Sequence, residues 1–197
     1  MPKNKATLLG YILLFTLGLF VLPPTVLAQS VTAALHSGDA FPDISGQALS
    51  GKPLQLSSVI TGKAAIVVFS FSKGAGKDAR SWNERLSDDY CSNHSLACST
   101  VIMLASAPRL LRGMIVSELN RTMPPSIREG TIVCYQNEDA WKQRLTVNDD
   151  SHAYVFLLDP SGHIRWRNSG AFSEVEYKAL KTTIQEQFQS AKPREVR

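Results

Sequence analysis

The sequence is poor in cysteine and has little net charge. Only three of its 197 residues are cysteines, Cys91, Cys98 and Cys134, and no two of them form a Cys-x-x-Cys motif. The odd count leaves at least one thiol without a partner within the chain. The formal net charge is +4, and +2 without the first 28 residues, which carry two lysines and no acid. A basic excess this small argues against a nucleic-acid-binding protein.

Metal-ligand and hydrolase patterns are also missing. The histidines are scattered, and none has a Cys, His or carboxylate neighbour at a metal-ligand spacing. They are His36, His94, His152 and His163. No Ser/His/Asp set is indicated either. The sequence therefore predicts no metal site, no cofactor and no catalytic residue.

The first 28 residues have the pattern of an export signal. Lys3 and Lys5 give a positive start, residues 8–22 form an apolar run, and Ala28 ends a small-residue cleavage site. The run is shorter than the ~20 residues that span a bilayer, although a retained membrane anchor is the alternative. Because no arginine precedes Arg80, the segment does not resemble a mitochondrial presequence. We expect a signal peptide over residues 1–28 and a periplasmic or extracellular protein.

The rest of the chain is predicted to hold one α/β domain. Residues 29–37 are predicted as a flexible lead-in, 38–190 as the domain and 191–197 as a charged tail. Strands alternate with helices along the domain, and a late strand pair precedes the last helix. This order predicts parallel crossovers with an antiparallel hairpin added to the same sheet.

A glycine-rich turn follows the strand predicted to lie at the centre of the sheet. Residues 64–71, AAIVVFSF, are nearly all apolar, as in a strand covered on both faces. Residues 73–77 read KGAGK, and a helix is predicted from about Asp78. Glycine N–H groups ahead of a helix could hold an anion, although GAGK lacks the spacing of a phosphate-binding loop.

Two later helices carry apolar residues at helical spacing. The first is predicted to turn a stripe toward the core, to end at Pro124 and Pro125, and to carry arginines that could form a basic rim for an acidic partner or lipid headgroups. The stripe is Leu110, Leu111, Met114, Ile115 and Leu119, and the candidate partner-binding arginines are Arg109, Arg112 and Arg121. The last helix is predicted to open at Ser173 with a capping box completed by Glu176. Its predicted apolar side is Val175, Leu180, Ile184 and Phe188.

The entry segment and the late hairpin resemble those of the thioredoxin-like superfamily, in its peroxiredoxin and secreted-reductase style. The matching stretches are GDAFPDISGQ from Gly38 and YVFLLDPSGHIRW from Tyr154. The resemblance implies an α/β, three-layer fold: a mixed central sheet with helices on both faces and a C-terminal β-hairpin plus helix. It also puts Gly74 and Lys77 where the family has its Cys-x-x-Cys pair, and Ala153 where it has its cis-proline. The degenerate active-site position thus comprises Lys73, Gly74, Gly76, Lys77 and Ala153.

A narrower resemblance, over roughly residues 64–180, is to the mitochondrial ATP-synthase assembly-factor family. That family is similar in keeping a thioredoxin-like frame without the redox pair, and in having a basic segment like residues 109–129. The family also has a hairpin like the one predicted here. The positions of this chain that match it are Asp159, Gly162, Ile164, Arg165, Trp166 and Gly170. The resemblance implies a protein-binding role, with a membrane complex as the partner. This chain differs from that family in one respect: it begins with an export signal where a mitochondrial protein has a presequence.

The remaining cysteines leave two functional hypotheses open. Cys91 and Cys98 are separated by six residues that can loop back, so a disulfide between them is feasible, and in an exported protein its role would be structural. Cys134 lies in a predicted strand as a small buried residue. The first hypothesis is an exported, redox-inactive protein that acts by binding another protein as an assembly or chaperone-type factor. The second is a thiol–disulfide oxidoreductase or peroxiredoxin-like enzyme that uses Cys91 and Cys98, or Cys134. A third, weaker hypothesis is an anion-binding domain built on the glycine turn.

Overall fold

The computed structural model describes residues 33–190, with side chains through residue 187. The predicted signal peptide, the charged tail and the side chain of Phe188 lie outside this range. No helix of the described part is long and apolar enough to cross a membrane. Within the predicted lead-in, Leu35 is buried and its backbone N–H donates to the carbonyl oxygen of Arg144 at 2.8 Å.

The described chain alternates strands and helices in the predicted order. The strands are β1 (Ser45–Ala48), β2 (Pro53–Gln55), β3 (Ala65–Ser70), β4 (Ala97–Met103), β5 (Thr131–Cys134), β6 (Tyr154–Leu158) and β7 (Ile164–Ser169). The α-helices are α1 (Leu56–Ile60), α2 (Lys73–Leu86), α3 (Arg109–Thr122), α4 (Pro125–Arg128), α5 (Glu138–Leu145) and α6 (Glu174–Ser190). A π-helical turn, Ser87–Cys91, extends α2.

The strands form one mixed sheet in the order β2-β1-β5-β4-β3-β6-β7. β3 pairs in parallel with β4 and antiparallel with β6, and β4 pairs in parallel with β5. All six residues of β3 are buried, which confirms the central strand predicted from its continuous apolar run. The thioredoxin-like fold class is confirmed.

Helices cover both faces of the sheet and close a separate core on each. On one face Trp82 of α2 and Leu180 of α6 are buried, and Leu119 of α3 packs at the margin. On the other face Leu56 of α1 and Trp141 of α5 pack against the sheet. The buried residues of both cores lie between Leu35 and Ile184.

The hairpin between β6 and β7 is held by its turn and by Asp159. The N–H of Gly162 donates to the carbonyl oxygen of Asp159 at 2.9 Å, which is the hydrogen bond that closes a four-residue β-turn. Burial would raise the pKa of the Asp159 carboxyl. Hydrogen bonds from the N–H groups of His163 and Ser161 and from the Arg165 side chain outweigh this, so the pKa is lowered. Ile164 is buried, and the bend returns the chain to the sheet.

Three predictions about the helices are wrong. Helix α2 begins at Lys73 rather than near Asp78, because Ser72 caps it and the glycines are helical. Leu110 and Met114 of α3 face outward, 97% and 65% exposed, because the helix turns Ile115 and Leu119 toward the core instead. Val175 of α6 is also exposed, since Tyr177, two residues further on and on the opposite side of the helix, takes the buried place.

Candidate functional site

The position of the missing thiols is the first turn of α2, at the carboxyl end of β3. Ser72 is the N-cap: its Oγ accepts a hydrogen bond from the N–H of Ala75 at 3.2 Å. The N–H of Gly76 donates to the carbonyl oxygen of Ser72 at 3.0 Å. Gly74 and Gly76 therefore belong to a capped helix, so the open glycine turn required by the anion-binding hypothesis does not form.

The loop that precedes β6 lies directly against this turn. A Cβ built at Gly74 would stand 3.1 Å from the carbonyl oxygen and 3.3 Å from the Cα of Ser151. The Oγ of Ser72 donates to the carbonyl oxygen of Asp150 at 2.7 Å, and this hydrogen bond holds the same loop against the start of α2. A side chain at position 74 would thus press on the backbone of the loop, which would have to shift by a few tenths of an ångström. A glycine suits this close approach of the two chain segments.

Charged side chains pin the loop on its outer side. The Nδ1 of His152 is 3.0 Å from Oδ2 of Asp78 on α2, and its Nε2 is 3.6 Å from Oδ2 of Asp149. The Nζ of Lys142 on α5 contacts Oδ2 of Asp150 at 2.9 Å and Oε1 of Glu138 at 3.0 Å. The loop is therefore held from two helices on opposite faces of the sheet.

The protonation of these groups favours the pinned arrangement. The hydrogen bond to Asp78 raises the pKa of His152, and the Asp149 carboxylate acts in the same direction. Hydrogen bonds from Ser151 lower the pKa of Asp149, and the charge of His152 adds to this. The His152 side chain is about half exposed, at 47%, so its ion pairs orient the loop more than they stabilise the fold.

Ala153, the last residue of the loop, is fully buried and starts the hairpin. Its carbonyl oxygen accepts from the N–H of Gly170 at 2.9 Å. The carbonyl oxygen of Gly170 in turn lies 3.4 Å from Nε1 of Trp82, the donor on α2. Trp166 packs against Trp82, with 6.1 Å between the two ring centroids. Of the family-like hairpin residues, Trp166 and Gly170 thus contact α2.

The cysteines lie away from this position. Cys91 and Cys98 form a disulfide that joins the end of the π-helical turn to the start of β4. Because α2 contains 14 residues and rises ~1.5 Å per residue, the disulfide is ~20 Å or more from the first turn of the helix. Cys134 is a free, buried thiol, and burial raises its pKa to about 11. Neither the pair nor the single thiol lies where a helix N-terminus would activate it.

Two of the three candidate arginines are engaged within the chain. The guanidinium of Arg112 donates to the carbonyl oxygens of Ala105 and Ala107, at 2.7 and 3.0 Å. Arg121 forms an ion pair with Glu118 at 2.7 Å. Arg109 is exposed at the start of α3. The partner-binding role of these arginines stays a prediction.

Sequence reasoning missed the groups that close the site. Ser72 carried a usable signal, since serine before a helical pattern is a common N-cap. The contacts of Ser151 and His152 are 77 and 74 residues distant in sequence from their partners Gly74 and Asp78, and no local pattern announces them. Among residues 33–190, no group of three or more His, Cys, Asp or Glu side chains could hold a metal ion.

The fold and the thiol-free helix start define a thioredoxin-like protein that lacks the Cys-x-x-Cys pair. A family model described as ATP10 protein matches residues 36–186. The chain belongs to this family of ATP-synthase assembly factors. No protein of curated function matches the sequence.

Solved structures with this fold include both thiol enzymes and assembly proteins. A protein assigned as thiol:disulfide interchange protein DsbE from Chlorobium tepidum aligns with a TM-score of 0.56 at 17% identity, over 78% of this chain and 99% of that one. BsSco, of the Sco family of cytochrome c oxidase assembly proteins, aligns at 0.53 and 8% identity, over 78% and 97%. Yeast Sco1, solved with copper bound, aligns at 0.50 and 19% identity, over 82% and 98%. At these identities the likeness establishes the fold alone.

The two glycines of the α2 turn should respond oppositely to alanine. At Gly76 a Cβ would meet only Ser70 Oγ, at 3.9 Å, so Gly76→Ala should stabilise the helix by up to about 1 kcal/mol. At Gly74 the added methyl group meets the backbone of Ser151, so Gly74→Ala should destabilise by about 1 kcal/mol. Urea unfolding of both variants measures the difference. Equal stabilisation by the two substitutions would contradict the close packing of the loop on Gly74.

The pH dependence of the loop should follow His152. Its pKa is raised in the folded state, so its contribution to stability is fully present below the ordinary value of 6.5 and is lost as pH rises through the folded value. NMR titration should find this histidine above 6.5, and Asp78→Asn should lower its pKa. Asp139→Asn, which removes an exposed carboxylate of α5, is the matched control. An unchanged His152 titration in Asp78→Asn would rule out the pinning contact.

Proposed function

We propose that this protein is an exported assembly factor that binds a protein partner and performs no thiol–disulfide exchange. Membership of the assembly-factor family supports the assembly role and a partner that is part of a protein complex. The proposal adds three points: the protein leaves the cytoplasm, its fold serves for shape rather than for redox chemistry, and its partner is a subunit of a membrane complex.

The observation that carries the proposal is the packing of Ser151 on Gly74. In thiol–disulfide exchange, a thiolate at a helix start must reach a disulfide sulfur of the substrate, and a second thiol must then resolve the mixed disulfide. Here the corresponding turn has no sulfur, and the backbone of Ser151 packs tightly against the place where the first side chain would stand. A cysteine at position 74 would press on this backbone, which supports a fold that does not present a thiol there.

The enzyme hypothesis finds little support in the remaining sulfurs. Cys91 is buried, and its bond to Cys98 joins two neighbouring segments at the end of the sheet remote from the α2 turn. Cys134 has a pKa of about 11 because it is buried, so little thiolate exists at neutral pH. A structural staple explains the disulfide in an oxidising compartment.

An insulin-reduction assay tests whether the protein is redox-inactive. With dithiothreitol as reductant, the chain over residues 29–197 should reduce insulin no faster than dithiothreitol alone, because no activated thiolate is available. A thioredoxin with an intact Cys-x-x-Cys pair serves as the positive control. Activity that disappears in Cys91→Ser or in Cys134→Ser would overturn the proposal and assign the chemistry to the mutated sulfur.

One experiment tests both the partner and the export of the protein. The protein is tagged at its C-terminus, cross-linked in the native cells and purified from the membrane fraction. The recovered protein should begin at Gln29, as the cleavage site predicts. ATP-synthase subunits should co-purify with it. A protein that still carries residues 1–28 would contradict cleavage of the signal, and co-purification of unrelated clients would contradict the proposed partner.

A further inference from the structure

The exposed apolar side chains of the described domain are concentrated on α3. Leu110, Leu111 and Met114 are 97%, 44% and 65% exposed. Single exposed leucines are ordinary on soluble proteins, but three within five residues form a patch. The patch ends after about one and a half turns, because the same outward face continues with the ion pair of Glu118 and Arg121. Apolar surface is thus confined to the tip of the helix.

The first turn of α3 is basic, and the one carboxylate that contacts the segment before it, Glu138, also pairs with Lys142: it accepts from the N–H of Ser106 at 3.0 Å and lies 3.0 Å from Nζ of Lys142. No Asp or Glu lies between residues 99 and 117, and Arg109 is the first residue of the helix. No side chain caps the first turn and no acid lies in it, so the positive end of the helix dipole is uncompensated. The guanidinium of Arg112 donates to the carbonyl oxygens of Ala105 and Ala107 in the loop before the helix, and these hydrogen bonds hold the first turn of α3 against that loop.

Further cations lie at the same edge of the sheet. β3 and β4 are parallel neighbours, so α2 and α3 both start at their carboxyl ends, and both helices pack on the same core. Lys73 and Lys77 are exposed in the first two turns of α2. Three carboxylates also lie at this edge, but each contacts a basic side chain: Asp78 and Asp149 contact His152, and Asp150 contacts Lys142. The edge therefore combines apolar side chains with basic ones in the first turns of α2 and α3, beside carboxylates that are paired within the loop.

We infer that this edge docks on an anionic lipid surface, with Leu110, Leu111 and Met114 entering the interface. Phosphate groups of lipids complement Arg109, Lys73, Lys77 and the helix dipole. Apolar side chains beside cations are the pattern of helices that lie in the headgroup region. A side chain that is 97% exposed, as Leu110 is, stands clear of its neighbours and does not line a groove. Such a protrusion fits a deformable bilayer better than it fits a partner helix, which needs a groove.

The inference goes beyond the proposed function and does not depend on it, because lipid docking requires neither the partner nor export. It explains how a domain without a membrane-spanning helix in its described part could be held where a membrane complex is built. Failure of lipid binding would leave the assembly role untouched, and failure of the partner experiment would leave lipid binding untouched.

Vesicle co-sedimentation of residues 29–197 tests the inference. The protein should bind vesicles of phosphatidylcholine and phosphatidylglycerol in equal parts, bind phosphatidylcholine alone weakly, and dissociate at high salt. Leu110→Ser with Met114→Ser should reduce the partition coefficient about tenfold or more, because the apolar contribution is lost without a change of charge. Arg109→Gln should reduce it about fivefold.

The matched control is Val175→Ser. Val175 is 77% exposed near the start of α6, but Glu174 and Glu176 flank it, so its loss should leave binding unchanged. A second readout uses Leu110→Trp, whose fluorescence should shift to shorter wavelength with the anionic vesicles if the tip enters the interface.

Three results would overturn the inference. The first is an absence of binding to either vesicle. The second is anionic-vesicle binding that survives Leu110→Ser with Met114→Ser. The third is capture of a membrane-complex subunit that requires Leu110 and Met114 while neither vesicle is bound, which would assign the patch to a protein.

Discussion

The buried strand β3 and the helix that follows it fix the geometry on which the rest of the molecule depends. Every residue of Ala65–Ser70 is buried, with parallel and antiparallel partners on its two sides. A strand held in this way leaves no freedom in where the chain emerges, so α2 must start at one edge of the sheet. The N-cap hydrogen bond of Ser72 completes the turn within two residues of the strand. Everything that is functionally distinctive about the protein is arranged around that edge.

At this edge a thioredoxin-like fold ordinarily needs space for two sulfurs and for a substrate. Here the turn has no sulfur, and the loop before β6 packs closely on it. The backbone of Ser151 rests on Gly74, Ser72 holds the carbonyl oxygen of Asp150, and His152 reaches Asp78. These contacts hold the loop before β6 against the first turn of α2, where the chain has no thiol.

The disulfide and the free thiol are consistent with such a division of roles. Cys91–Cys98 ties the end of the π-helical turn to the start of β4, at the opposite end of the sheet. Burial raises the pKa of the Cys134 thiol to about 11. The sulfurs thus contribute to the structure, while the surface at the α2 and α3 tips carries the charges and apolar side chains that remain available for binding.

The sequence by itself determined the order of the elements, the central strand, the hairpin turn and the absence of sulfur at the helix start. These are local properties: a continuous apolar run, the Asp159-Pro160-Ser161-Gly162 turn and the helical spacing of Trp82 and Leu86 are visible within a few residues. Only the tertiary structure decided which apolar face of α3 meets the core. Leu110 and Ile115 lie on different faces of the helix, and the sequence alone does not show which of the two faces is buried. It also decided why position 74 is glycine, because the atom that excludes a side chain there belongs to Ser151, far along the chain. Contacts between distant segments depend on how the sheet is assembled, and that assembly is not encoded in any short stretch of sequence.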